Sequence, residues 1–211
     1  MSVLAQEEVL ERLSSGDLVV SPILDKTQIG RVSIDLRLGT VACMVRGSDV
    51  PVVDPKDYVA AAAAGGHAGE QSRRRKLDRI SVPFGSALTL HAGSLILAST
   101  FEWVKLPFDL QGLVTARSSW AREGLSIATA TFINPCYSGI ITLELENFGQ
   151  TPIVIYPGMR LAQLALYQID PNRALPCAPD ARGQFDLSFE PTAGDITKGD
   201  LPFIPDRLVG E

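Results

Sequence analysis

Between Ser81 and Gln168 the chain is a series of short apolar segments separated by turn-forming residues. Pro83-Phe84-Gly85, Gly93, Pro107, Gly112, Gly139, Gly149 and Pro157-Gly158 punctuate it every 8–12 residues or so. No segment is long enough for a substantial helix, so this pattern predicts an all-β barrel or sandwich. Upstream, Val32, Ile34, Leu36 and Leu38 alternate with Ser33, Asp35 and Arg37, which predicts a half-buried strand ending at Gly39. Asp35 and Arg37 then share a polar face, solvated or salt-bridged.

Helical spacing occurs in two places. Ala5, Val9, Leu10 and Leu13 predict a helix over 3–15, with Ser2 able to cap its start and Gly16 its stop. A short helix is expected from about Ser119 to Glu123. Residues 60–76, AAAAAGGHAGEQSRRRK, follow neither period and read as a flexible insertion. Its Arg73–Lys76 run and His67 are read as solvated. Beyond Pro171 the chain is rich in Pro, Gly and Asp, and is expected to form a lid, an arm around a neighbour, or a loose tail. These features divide the chain into a domain over 1–170 and a tail over 171–211.

Composition excludes several functions. A formal charge of −5 opposes a broad electrostatic grip on nucleic acid. Three cysteines, Cys43, Cys136 and Cys177, are odd in number and widely spaced. They predict no disulfide framework and a reducing compartment, with Cys136 a buried structural thiol. With His67 and His91 as the two histidines, no zinc-ligand cluster is expected. The N-terminus carries acids where a signal peptide carries bases, and no apolar run approaches the roughly 20 residues of a membrane span. A cytoplasmic location is expected, with no membrane partner.

The chemistry concentrates between Gly112 and Gln168. Arg117-Ser118-Ser119 offers a guanidinium fork and two hydroxyls at the start of the short helix, and Arg122 follows Ser118 by one helical turn. The same residues also fit a capped surface helix. In GIITLELEN, Ile141, Leu143 and Leu145 share one strand face, and Thr142, Glu144 and Glu146 share the other. That second face is either open to water or meets arginines in a cleft, with Arg117 and Arg122 the candidates.

The blocks ARSSWAREGL, TATFINPCYSGIITLELEN and PIVIYPGMRLAQLAL, together with the early SIDLRLG, resemble the dCTP deaminase branch of the trimeric dUTPase-like superfamily. The resemblance spans about 150 residues in family order. It implies a mainly β fold, a distorted barrel of jelly-roll type carrying an N-terminal helix and one short helix near the active site. It also implies homotrimers with sites between subunits, and Mg2+ arriving on the triphosphate. Arg117, Ser118 and Ser119 match the residues that hold the triphosphate. Ser118, Arg122 and Glu144 match the group that handles the attacking water. Ala130 matches the residue beside the exocyclic amine, Thr142 and Leu143 flank the base pocket, and Gln163 matches a nucleotide contact. Asn134 stands where the family has an aspartate facing the deoxyribose.

The resemblance implies hydrolysis of dCTP to dUTP and ammonia without zinc, with Glu144 as general base. Asn134 cannot serve as a base, which argues against dUTPase activity. Cys136 replaces the family's glycine after the proline, the loop from Gly124 to Thr129 is one residue short and lacks the usual histidine, and the family's C-terminal lid motif is not recognisable. Phe185, Pro191-Thr192 and Lys198 are its nearest counterparts. The alternatives are a deaminase of a modified cytosine nucleotide, a dUTPase-type hydrolase, or a catalytically silent nucleotide-sensing trimer.

Overall fold

A computed structural model describes residues 2–45, 54, 77–127, 130–177, 185–192 and 194. The expected insertion at 60–76 and Lys198 lie outside them. The strands are β1 (Ser2–Val3), β2 (Val19–Ser21), β3 (Ile34–Val45), β4 (Leu77–Ser81), β5 (Leu88–Leu90), β6 (Leu95–Lys105) and β7 (Leu110–Ala116). After these come β8 (Leu125–Ile127), β9 (Phe132–Ile133), β10 (Ser138–Asn147), β11 (Ile153–Ile155) and β12 (Arg160–Gln168). Among the described residues the α-helices are α1 (Gln6–Ser15) and α2 (Ser118–Arg122).

One 10-stranded sheet runs β8-β10-β6-β3-β12-β7-β9, with β1 on β12, β2 on β6 and β4 on β3; β11 and β5 form a separate pair. The sheet curls. β8 pairs with β10 at one end of the strand order, and β9 pairs with β7 at the other. Four residues, 128–131, separate β8 from β9 in the chain, so the two ends of the strand order lie within a short span of each other. Fully buried Ile34, Leu36, Leu143, Leu145, Leu161 and Leu164 fill the concave side, and their removal from water is the main source of stability. Among the described residues, no helix is long and apolar enough to cross a membrane.

The mainly β architecture and both helices agree with the sequence, but several details differ. Helix α1 starts at Gln6 instead of residue 3, and Ala5 stands at the N-cap position expected for Ser2. Glu8 reaches back to accept the Ala5 N–H at 2.7 Å, and Ser2 instead pairs with Gln168 in β1. Gly16 does stop the helix, at φ 80°. Strand β3 continues past Gly39. A Cβ there would lie 2.3 Å from Ser99 Oγ and 2.8 Å from Thr100 O, so this glycine permits close strand approach instead of ending the strand.

The polar face of β3 is salt-bridged, one of the two expected arrangements, and it is buried instead of solvated. Arg37, 5% exposed, pairs with Glu102 at 3.2 Å and with Asp25 at 3.0 Å. Glu102, wholly buried, also accepts the Arg37 N–H at 2.8 Å and the Gln28 amide at 2.9 Å. Three donors, two from Arg37 and one from Gln28, make that burial tolerable.

The expectation of no disulfide is overturned: Cys136 and Cys177 are bonded, across a sequence separation of 41. Cys136 is therefore not a free thiol, whereas Cys43 is free and buried. The tail is docked where it is described. Leu187 N–H donates to Ser138 O, Ile140 N–H donates to Ser188 O, and Arg79 pairs with Glu190 at 2.6 Å. Phe189 lies against Trp103 with ring centroids 4.7 Å apart. Gly139 makes the approach possible, since a Cβ there would lie 3.3 Å from Ser188 backbone atoms.

Candidate active site

Glu144 lies mid-strand in β10, in register with Leu97 of β6, and its side chain is half-buried. Alternation places Thr142 and Glu146 on the same face and turns Leu143 and Leu145 fully into the core. The Leu143 side chain is wholly buried in the core. Burial raises the Glu144 pKa above its ordinary 4.5, and the Ala130 N–H, donating to the carboxylate, pulls it back down in part. The link from β8 to β9 carries Ala130, so the curl of the sheet puts this N–H and this carboxylate together.

Among the described residues, burial and Ala130 set the Glu144 ionisation. Arg122, expected to hold it, is exposed on α2. Helix α2 has one and a half turns. Arg117 is its N-cap residue, with no side-chain capping bond, and the Arg117 N–H donates to Leu161 O at 2.9 Å. Ser118 and Ser119 are exposed at its first turn. Asn134 is exposed in the turn that follows β9, where its carbonyl accepts the Tyr137 N–H at 3.3 Å.

Arg117 and Gln163 meet at Asp35, which the sequence pattern marks only as part of a solvated or salt-bridged face. Asp35 pairs with Arg117, accepts Gln163 Nε2 at 3.3 Å, and accepts Arg160 Nη1 at 3.3 Å. Gln163 is the register partner of Asp35 across β12 and β3, and of Thr115 across β12 and β7. Arg117 follows two residues beyond Thr115, which brings its side chain within reach. Arg160 was missed, although it lies inside the PGMRLAQL block. Its signal was an arginine opening a buried strand.

Within one chain the candidates therefore form two groups: Arg117 and Gln163 around Asp35, and Ala130 and Glu144 with Thr142 beside them. The first can present guanidinium and amide donors to an anion. The second presents a half-buried carboxylate suited to proton transfer. Among the described residues, no three His, Cys, Asp or Glu side chains are placed to hold a metal ion.

Comparison with known proteins identifies the family. A family model described as dCTP deaminase-like matches residues 3–169. A Methanobrevibacter smithii protein named "dCTP deaminase, dUMP-forming" is 34% identical over 177 residues, covering 83% of this chain and 85% of its own. A Halorubrum lacusprofundi protein named "dCTP deaminase" is 34% identical over 196 residues, covering 92% of this chain and 91% of its own. The crystal structure of 2'-deoxycytidine 5'-triphosphate deaminase from Agrobacterium tumefaciens superposes with a TM-score of 0.57 at 24% identity. That alignment covers 78% of this chain and 47% of the other, so the chain spans about half the length of that protein, and the likeness concerns the fold. With a family model covering most of its length and relatives above 30% identity, the chain belongs to the dCTP deaminase-like family.

Proposed function

We propose that this protein hydrolyses dCTP to dUTP and ammonia, with Glu144 as general base. The observation that carries the reading is the half-buried Glu144 carboxylate held by the Ala130 N–H, a base with a raised pKa at a fixed position. Glu144 takes a proton from water, whose oxygen bonds to C4 of cytosine, and delivers that proton to N3. The tetrahedral centre then collapses, the C4–N bond breaks, and the second water proton leaves with the amine as ammonia. Ser118 and the Ala130 backbone orient the water. Arg117, Ser119 and Gln163 hold the triphosphate with the Mg2+ it carries, and Thr142 and Asn134 flank base and sugar.

Arg122 acts on Glu144 in a homotrimer with sites between subunits, which accounts for its exposed position in a single chain. The chemistry needs no zinc, because a carboxylate and orienting groups supply the base and the water site. A second reading, release of dUMP, is favoured by the Methanobrevibacter relative, named dUMP-forming. Asn134, an amide where a base would be needed, favours dUTP as the product.

The test is incubation of the purified protein with dCTP and Mg2+, following ammonia and nucleotides by chromatography, with Glu144→Gln alongside. Accumulation of dUTP in the wild type, reduced roughly 10²–10⁴-fold in the variant, supports the reading. Release of dUMP and pyrophosphate instead establishes the second reading. Intact dCTP that nevertheless binds overturns both and leaves a nucleotide sensor.

A further inference from the structure

Asp35 is the common anchor of two residues assigned above to the nucleotide. Its carboxylate, on a residue 7% exposed, takes Arg117 and Arg160 on Oδ2 and Gln163 on Oδ1. Behind it runs a chain of alternating charge. Arg160 Nη2 donates to Asp25 Oδ2 at 2.6 Å, Arg37 Nη2 to the same oxygen at 3.0 Å, and Arg37 Nη1 to Glu102 Oε1 at 3.2 Å. The order is Glu102, Arg37, Asp25, Arg160, Asp35, Arg117. It begins at a wholly buried glutamate and ends at an arginine whose side chain is 32% exposed.

An arginine alone on a surface samples many rotamers and grips an anion only after ordering. Here one edge of the Arg117 fork is fixed by an acid that is itself fixed by the core. The remaining N–H groups of the guanidinium stay available to an incoming anion. Three arginines balance three acids along this chain, so Asp35 adds no net negative charge against a phosphate. The amide of Gln163, held by the other oxygen of the same carboxylate, is oriented by the same atom group.

We propose that Asp35 is a positioning residue for phosphate binding. It presets the Arg117 fork and the Gln163 amide without touching substrate, and Arg160, with Asp25, Arg37 and the buried Glu102 behind it, keeps Asp35 in place. This rests on the reading of Arg117 as a triphosphate contact. Removing the charge at Asp35 then weakens nucleotide binding through Arg117 and leaves the chemistry at Glu144 alone.

The test is a double-mutant cycle on Asp35→Asn and Arg117→Gln, titrating dCTP by calorimetry and measuring KM and kcat. Asp35→Asn is expected to raise Kd and KM for dCTP about tenfold, the size of one lost charge-assisted contact, with kcat within about threefold. Added to Arg117→Gln, it is expected to weaken binding no further. A folded Asp35→Asn protein that binds dCTP like wild type, or effects that add in full, overturns the proposal. Should Asp35→Asn fail to fold, Arg117→Lys decides the matter. A point ammonium cannot serve acid and phosphate at once, so it too must raise KM about tenfold, and wild-type affinity overturns the proposal. If Arg117→Gln binds dCTP as wild type does, the reading of Arg117 itself falls, and this inference with it.

Discussion

Cys136 is bonded to Cys177, so the turn after Asn134-Pro135 is stapled to the segment that leaves β12. Cys136 is also held at φ 68°, a left-handed conformation that suits glycine. Both facts bear on stability, and they oppose each other.

Closing a loop across 41 residues restricts the unfolded chain by about 4 kcal/mol on the chain-entropy account. Reduction, or Cys177→Ser, is therefore expected to lower the unfolding free energy by several kcal/mol, read by urea titration with and without dithiothreitol. Cys136→Gly also loses the bond but is relieved of roughly 1–2 kcal/mol of left-handed strain. It should be the more stable of the two variants by about that margin. Equal midpoints for wild type in both redox states would remove the disulfide from the stability account. Exchange of the Ile140 and Leu187 amides, which bond to and from the docked tail, should quicken in the reduced protein.

Glu102 anchors the buried end of the ionic network, and its loss should be severe. Glu102→Ala leaves the buried Arg37 with only the exposed Asp25 as a carboxylate partner and strips the Arg37 N–H and the Gln28 amide of an acceptor. Breaking such a pair costs about 3–5 kcal/mol. Glu102→Gln, which keeps an oxygen acceptor and the shape, should cost clearly less, because burial already holds the Glu102 pKa up and disfavours its charged form. The check is the order of the two variants in denaturant midpoint. An alanine variant as stable as the glutamine one would count against a supporting role for the network.

The ionic network and the disulfide are where sequence reading fell short, for a shared physical reason. Turn punctuation and period-two alternation are local, so the strand-rich fold, α1 with its Gly16 stop, and α2 were legible. Asp35 and Arg37 alternate with leucines as an exposed polar face would. What buries them are Asp25, Glu102, Arg117 and Arg160, and nothing in the local pattern announces partners that far away. Cys136 and Cys177 share no spacing motif, and a third cysteine hides their pairing. The candidate residues themselves came from the ordered family blocks. Arg160 stood inside one of those blocks and still passed as an ordinary strand residue.

Glu144 should govern both activity and its pH dependence. Its folded-state pKa is raised by burial, so the folded protein favours the protonated form. The stability it contributes is present below the ordinary carboxylate pKa and is lost as pH rises through the raised value. At neutral pH the charged carboxylate is thus a liability, and Glu144→Gln should melt at or above the wild-type temperature while losing deamination. Since the base must be ionised, kcat/KM should fall on the acid side with a midpoint above 4.5, the ordinary value. A stable, inactive glutamine variant together with that acid limb is the expected pair of results. An active variant would assign the base elsewhere.

Asn134 is exposed in its turn, so replacing its amide by a carboxylate should leave the fold undisturbed. The consequence is chemical. An amide cannot accept a proton from water, whereas an aspartate at the same place can. Wild-type protein given dUTP and Mg2+ is expected to leave it intact. Asn134→Asp should begin to release dUMP and pyrophosphate while deaminating dCTP within about tenfold of the wild-type rate, a loss of under 1.4 kcal/mol in transition-state stabilisation. Pyrophosphate from the wild type would show that another group activates the water, and the half-buried Glu144 would be the first to examine.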